Sequence, residues 1–216
     1  MNTDICPISG ETMQEERLNH WTHLFGLVLS LIGLPLLILL SSLHGDFWHI
    51  ASYTVYGITL VLLYMASTYY HGCKTLPLKS TFRIVDHACI YLLIAGTYTP
   101  LMLGPLRDAN GWTLLAIEWS IATVGILFKI LAFERFQKLS LVAYLLMGWL
   151  IVFSWETVLE GLSFSTLSLI AAGGISYTLG TIFFLWESLA YNHAIWHLFV
   201  LVGSICHYFA VLTLLL

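Results

Sequence analysis

Residues 21–43 read Trp-Thr-His-Leu-Phe-Gly-Leu-Val-Leu-Ser-Leu-Ile-Gly-Leu-Pro-Leu-Leu-Ile-Leu-Leu-Ser-Ser-Leu, without one Asp, Glu, Lys or Arg. A helix rising ~1.5 Å per residue needs about 20 such residues to cross a ~30 Å hydrocarbon core, so this stretch predicts a membrane span. Six more apolar stretches follow, roughly Phe47 to Tyr70, Ile84 to Leu103, Trp112 to Phe133, Leu139 to Val158, Leu162 to Trp186 and Ala194 to Leu216. They are read as helices because hydrocarbon offers open backbone no hydrogen-bond partner. The expectation is an all-α, polytopic seven-transmembrane-helix bundle, with residues 1–20 as a short cytoplasmic tail and 21–216 as a single domain.

Composition points the same way. The 216-residue chain is 59% hydrophobic and 9% charged, whereas soluble domains carry about a quarter of charged residues. Twelve acids against eight bases give a net charge of -4, which offers nucleic acid no binding surface. The polar opening has neither a basic stretch nor a following cleavage signature, so the first span is expected to be retained. Cys6, Cys73, Cys89 and Cys206 are scattered and are expected to be free thiols.

Orientation follows from the cations. Arg17, Lys74, Lys79, Arg83, Lys129, Arg135 and Lys138 lie in or near the tail and the loops after spans two and four, and only Arg107 is opposite. Positive loops stay cytoplasmic, which sets the amino terminus inside and the carboxyl terminus in the periplasm. His71, Asp86, His193 and His197 then converge at the inner leaflet, although the histidines play no part in setting the topology.

His193 and His197 are four residues apart and share a helical face, and His71 can supply a third ligand. Three imidazoles suit Zn²⁺, and a three-ligand set leaves a fourth position for water, the catalytic rather than the structural pattern. A doubly charged ion near hydrocarbon needs an anion close by, and Asp86 is the candidate. Its expected role is to orient or deprotonate the zinc water, not to ligate; a cap on span three is the plainer alternative. Ser67 precedes His71 by four residues. It either donates to the water or a substrate carbonyl, or bonds back to its own helix.

Other polar residues carry weaker expectations. His20 and His23, preceded by Glu15, Glu16 and Asn19, are expected at the water interface, with outer support of the metal as the alternative. His207 lies ~15 Å beyond His197 at helical rise, too far for the same ion, and is expected to hydrogen-bond inside the bundle. His87 is expected at the interface, Lys129 is expected to snorkel to the cytosol, and Glu118 has no partner the sequence can name. Pro100 should distort span three, and Gly173, Gly174 and Gly180 should let helices approach closely.

Several motifs together resemble the haemolysin III family, bacterial relatives of the progestin and adiponectin receptors and, more distantly, of the alkaline ceramidases. They are Glu16-Arg-Leu-Asn-His-Trp-Thr-His-Leu-Phe-Gly26, Ser67-Thr-Tyr-Tyr-His71, Asp86-His87 with Leu93-Ile-Ala-Gly-Thr-Tyr-Thr-Pro100, and Asn192-His-Ala-Ile-Trp-His197. The resemblance implies a seven-helix bundle with zinc near the cytoplasmic face, held by His71, His193 and His197. Asp86 matches the acid that holds the zinc-bound water, and Ser67 the serine of a Ser-x-x-x-His motif. The short tail lacks the long cytosolic domain of the eukaryotic receptors and suggests a multi-pass protein of the bacterial inner membrane. The leading expectation is hydrolysis of a lipid amide or ester by zinc-activated water. The rival is a non-catalytic, zinc-clamped receptor or regulator of membrane state, with a membrane lipid as ligand. A cytolysin stands third, because a pore former usually needs a soluble or secreted state.

Overall fold

The computed structural model describes residues 5–215. Helix α1 spans Met13–His44, α2 Phe47–Gly72, α3 Leu76–Leu103, α4 Trp112–Ala132, α5 Gln137–Gly148, α6 Trp155–Gly161, α7 Phe164–Leu185 and α8 Asn192–Thr213. The short helices α5 and α6 belong to one span, Glu134–Gly161, so seven stretches are long and apolar enough to cross a membrane. Helix α7 packs on α8, α8 on α1, α1 on α2, α2 on α3, and α3 on α4. The second and third spans are the most enclosed, and the polar cluster described below gathers at the ends of the helices around them.

Local sequence starts the first two helices. Thr12 caps α1 reciprocally: its Oγ1 accepts from the Glu15 N–H at 3.2 Å, and the Glu15 Oε2 accepts from the Thr12 N–H at 2.9 Å. Asp46 caps α2 by accepting from the N–H groups of Trp48 and His49, at 2.9 and 3.1 Å. The His49 backbone and imidazole bonds hold the Asp46 carboxyl down to about 2. Arg107 reaches Asp46 at 3.4 Å, so the α1–α2 and α3–α4 connections share one end of the bundle.

The inward face of α1 is polar and small: Glu16, Asn19, His23, Gly26, Ser30, Gly33, Leu37 and Ser41 recur every three or four residues. Leu31, Ile32, Leu39 and Leu43 point outward and are exposed. That inverts the soluble pattern, because lipid is as apolar as leucine and only small or polar groups gain by facing another helix.

Three expectations need correction. Span three begins at Leu76 rather than Ile84, with a proline in its first turn, so Asp86 lies ten residues inside α3 and caps nothing. Lys129 does not snorkel: it is buried, with Nζ 4.6 Å from the centre of the Phe133 ring. Span five is not one continuous helix but breaks at Leu150–Ser154. There the Tyr98 hydroxyl accepts from the Ile151 N–H and donates to the Met147 carbonyl, both at 2.9 Å, so a side chain replaces the lost backbone partners.

The close-packing role of glycine is clearest at Gly180, where a Cβ would stand 2.7 Å from both Phe199 Cβ and Trp196 Cε3. Gly180→Val is expected to cost about 1–3 kcal/mol through forced repacking of α7 on α8. Thermal unfolding in detergent checks this; an unchanged transition would show that the two helices separate freely.

Candidate metal centre

Four helices deliver one polar cluster. Glu16, Asn19 and His23 come from the first turns of α1, Ser67 and His71 from the last turns of α2, Asp86 from α3, and His193 and His197 from the first turns of α8. His71, His193 and His197 offer ligand atoms that all lie within 4.8 Å of one another. Their ring centroids are 5.0 Å apart for His71 and His193, 5.1 Å for His71 and His197, and 4.7 Å for His193 and His197.

Polar contacts commit one nitrogen of each ring. His71 Nδ1 lies 2.9 Å from Glu16 Oε2, and His193 Nδ1 lies 3.0 Å from Glu11 Oε1. A carboxylate only accepts, so Nδ1 carries the proton in both rings. His197 Nδ1 lies 3.2 Å from the Asn19 carbonyl and 3.0 Å from Thr22 Oγ1, whose own proton goes to that same carbonyl. Its Nδ1 is therefore a donor too. All three rings are left with Nε2 as a lone-pair donor, the arrangement by which outer partners orient metal-binding imidazoles. His71 Nε2 is buried with no hydrogen-bond partner among the described residues. An orphaned acceptor beside two other imidazoles fits a metal ion better than it fits apolar packing.

Charge around the trio is balanced in layers. Glu16 is buried and shared: its Oε2 also accepts from Lys79 Nζ at 3.0 Å, and its Oε1 from Ser9 Oγ at 2.5 Å. Glu11, Glu16 and His71 form a second group with metal-ligand spacing, but the Lys79 ammonium already supplies the positive charge there. Asp86 is buried beside Ser67, with Oδ2 3.7 Å from His87 Nδ1, and stays outside both metal-spaced groups.

Several residues behave differently from their sequence reading. His23 is not interfacial: it is buried, stacks on His197 with centroids 3.4 Å apart, and holds Ser67 Oγ at 2.6 Å through Nδ1. Ser67 thus bonds across helices and not back to its own. Glu118 is fully buried with neither carboxylate oxygen hydrogen-bonded among the described residues. His207 accepts its expected place inside the bundle, with Nε2 3.2 Å from the Ile170 carbonyl. Glu11 and Lys79 carried no functional signal in the sequence, and Glu16 only a weak one. The signal that was present is the spacing of Glu16, Asn19 and His23, which puts all three on one face of a helix.

The family model described as haemolysin-III related matches residues 11–208, a range that contains the whole cluster from Glu11 to His197. The chain belongs to the haemolysin III family. Hemolysin-3 of Bacillus cereus is 49% identical over 200 residues, covering 93% of this chain and 91% of that protein. The Hemolysin-3 homolog of Bacillus subtilis (strain 168) is 45% identical over 201 residues, covering 93% and 94%. Monocyte to macrophage differentiation factor of Homo sapiens is 33% identical over 211 residues, covering 93% and 84%. Family members of bacterial and mammalian origin thus share nearly the full length of this chain. No solved structure matches.

Proposed function

We propose that this haemolysin III member is a zinc-dependent hydrolase of the bacterial inner membrane, acting on a lipid amide or ester from the cytosolic leaflet. The observation that carries this reading is the trio of imidazoles whose ligand atoms lie within 4.8 Å of one another while each Nδ1 is committed to an outer partner. Three neutral nitrogen donors suit zinc and leave a coordination position open. A zinc ion held there would supply Lewis acidity, polarising a carbonyl and acidifying a water.

The protein's own groups supply the proton chemistry. Asp86, buried beside Ser67, takes the proton of the attacking water and returns it to the leaving nitrogen or oxygen. In the tautomer that has His23 Nδ1–H donating to Ser67 Oγ, the Ser67 hydroxyl hydrogen points to Asp86 and would turn to the developing oxyanion as Asp86 takes up the water's proton. The bias of cations toward this end of the bundle supports the cytosolic placement.

The test is release of fatty acid from a panel of glycerophospholipids and N-acyl lipids by purified protein. Asp86→Ala should abolish release while retaining the metal; persistent release by that variant would sink the mechanism. A second reading is a zinc clamp between α2 and α8 that regulates membrane state without catalysis. It is favoured by the tight enclosure of the trio, which His23 stacking and the Glu16 and Glu11 carboxylates fill on several sides. A clamp predicts no release from any lipid. The cytolytic reading rests on the names of the Bacillus relatives alone and predicts leakage from liposomes on addition of protein.

A further inference from the structure

The segment before α1 is folded onto the cluster. Cys6 N–H donates to the Glu11 carbonyl at 2.7 Å and Gly10 N–H to the Cys6 carbonyl at 2.8 Å, with Gly10 at φ 79°, where a side chain would be strained. Arg83 Nη1 donates to the Ile8 carbonyl at 2.9 Å, and Ser9 holds Glu16, so the turn is tied to both α3 and α1. This seating presents the Glu11 carboxylate to two partners. Oε1 meets His193 Nδ1 at 3.0 Å, and Oε2 accepts from Asn19 Nδ2 at 2.5 Å.

His193 is the ligand that most needs such a hold. Its side chain is 16% exposed, whereas that of His71 is fully buried. It also stands in the first turn of α8, two residues after Tyr191, a non-glycine residue at φ 59°. A strained residue persists there only because neighbours fix it, and the Tyr191 N–H is held by Glu15 Oε1 at 2.9 Å. The backbone near His193 and its imidazole are thus held by two carboxylates, Glu15 in the first turn of α1 and Glu11 in the segment before it.

We propose that Glu11 is a positioning residue for the metal ligand His193: it accepts the Nδ1 proton, turns Nε2 toward the shared metal position, and, because it rides on the turn of residues 5–12, couples metal retention to the seating of that turn. The inference rests on the metal-centre reading. Loss of an outer partner of this kind typically weakens metal binding about 10–100-fold.

The experiment uses full-length protein stripped and reloaded with Zn²⁺ or Co²⁺. Dissociation constants come from chelator competition, the cobalt absorption band reports coordination, and thermal unfolding is followed with and without metal. Glu11→Ala is expected to weaken Zn²⁺ binding about 10–100-fold, speed release to chelator, and narrow the gap in transition temperature between loaded and stripped protein. Glu11→Gln, which keeps an acceptor for Nδ1–H, should recover part of the affinity. Wild-type affinity in Glu11→Ala, or an equal fall in transition temperature in both states, overturns the proposal. His193→Ala separates the two levels of inference. If that variant binds metal like wild type, the metal-centre reading fails; if it loses metal while Glu11→Ala does not, only the role of Glu11 falls.

Discussion

His71→Ala is expected to release the metal, leaving purified protein with little or none where wild type carries it. The substitution removes the one ligand contributed by α2 and leaves two imidazoles, both on α8 and one turn apart. Removing an outer partner already costs about 10–100-fold in affinity, and removing a ligand costs more. The variant also takes away the Nδ1–H that Glu16 accepts, but Glu16 keeps Lys79 and Ser9, so the fold should survive. Elemental analysis beside thermal unfolding is the check. His207→Ala is the control, a histidine of α8 outside the trio, because His207 is tied to the Ile170 carbonyl on α7 and should leave the metal in place. A full metal complement in His71→Ala would remove the trio as the binding site.

Much of this architecture is legible in the sequence because a bilayer imposes few options. Apolar length gives the spans, and a four-residue interval gives the paired imidazoles of α8. What composition alone cannot give is the distance between helices, and this is why His23 is assigned to the interface by sequence but lies stacked on His197. The start of α3 is missed for a related reason. Lys79 and Arg83 make residues 76–83 look like loop, yet Lys79 is buried because Glu16 on α1 neutralises it, a partner distant in sequence. The inward face of α1 could have been read from Glu16-x-x-Asn19-x-x-x-His23-x-x-Gly26-x-x-x-Ser30, a helical period of polar and small residues. A search for apolar periodicity passes over it, since in lipid the apolar side is the outside. The break in the fifth span leaves no comparable mark, because it depends on the Tyr98 hydroxyl from another helix.

Glu16→Ala is expected to be the most destabilising single substitution in the cluster, at about 3–5 kcal/mol, the usual penalty for stripping one partner from a buried ion pair. The carboxylate answers three groups at once: Lys79 Nζ at 3.0 Å, His71 Nδ1 at 2.9 Å and Ser9 Oγ at 2.5 Å. Without it the Lys79 ammonium stays buried with, among the described residues, the Tyr70 carbonyl at 2.8 Å and the Tyr70 ring at 4.6 Å. Neither cancels its charge. Lys79→Met should cost less, because the remaining carboxylate keeps two hydrogen-bond donors. The double variant Glu16→Gln, Lys79→Met should recover part of the loss, since a neutral amide still accepts from His71 and no buried charge is left unpaired. Thermal unfolding of metal-stripped protein isolates this effect from metal binding. Glu16→Ala unfolding at the wild-type temperature would mean that water reaches Lys79, and that the polar end of the bundle is open and not sealed by the ion pair.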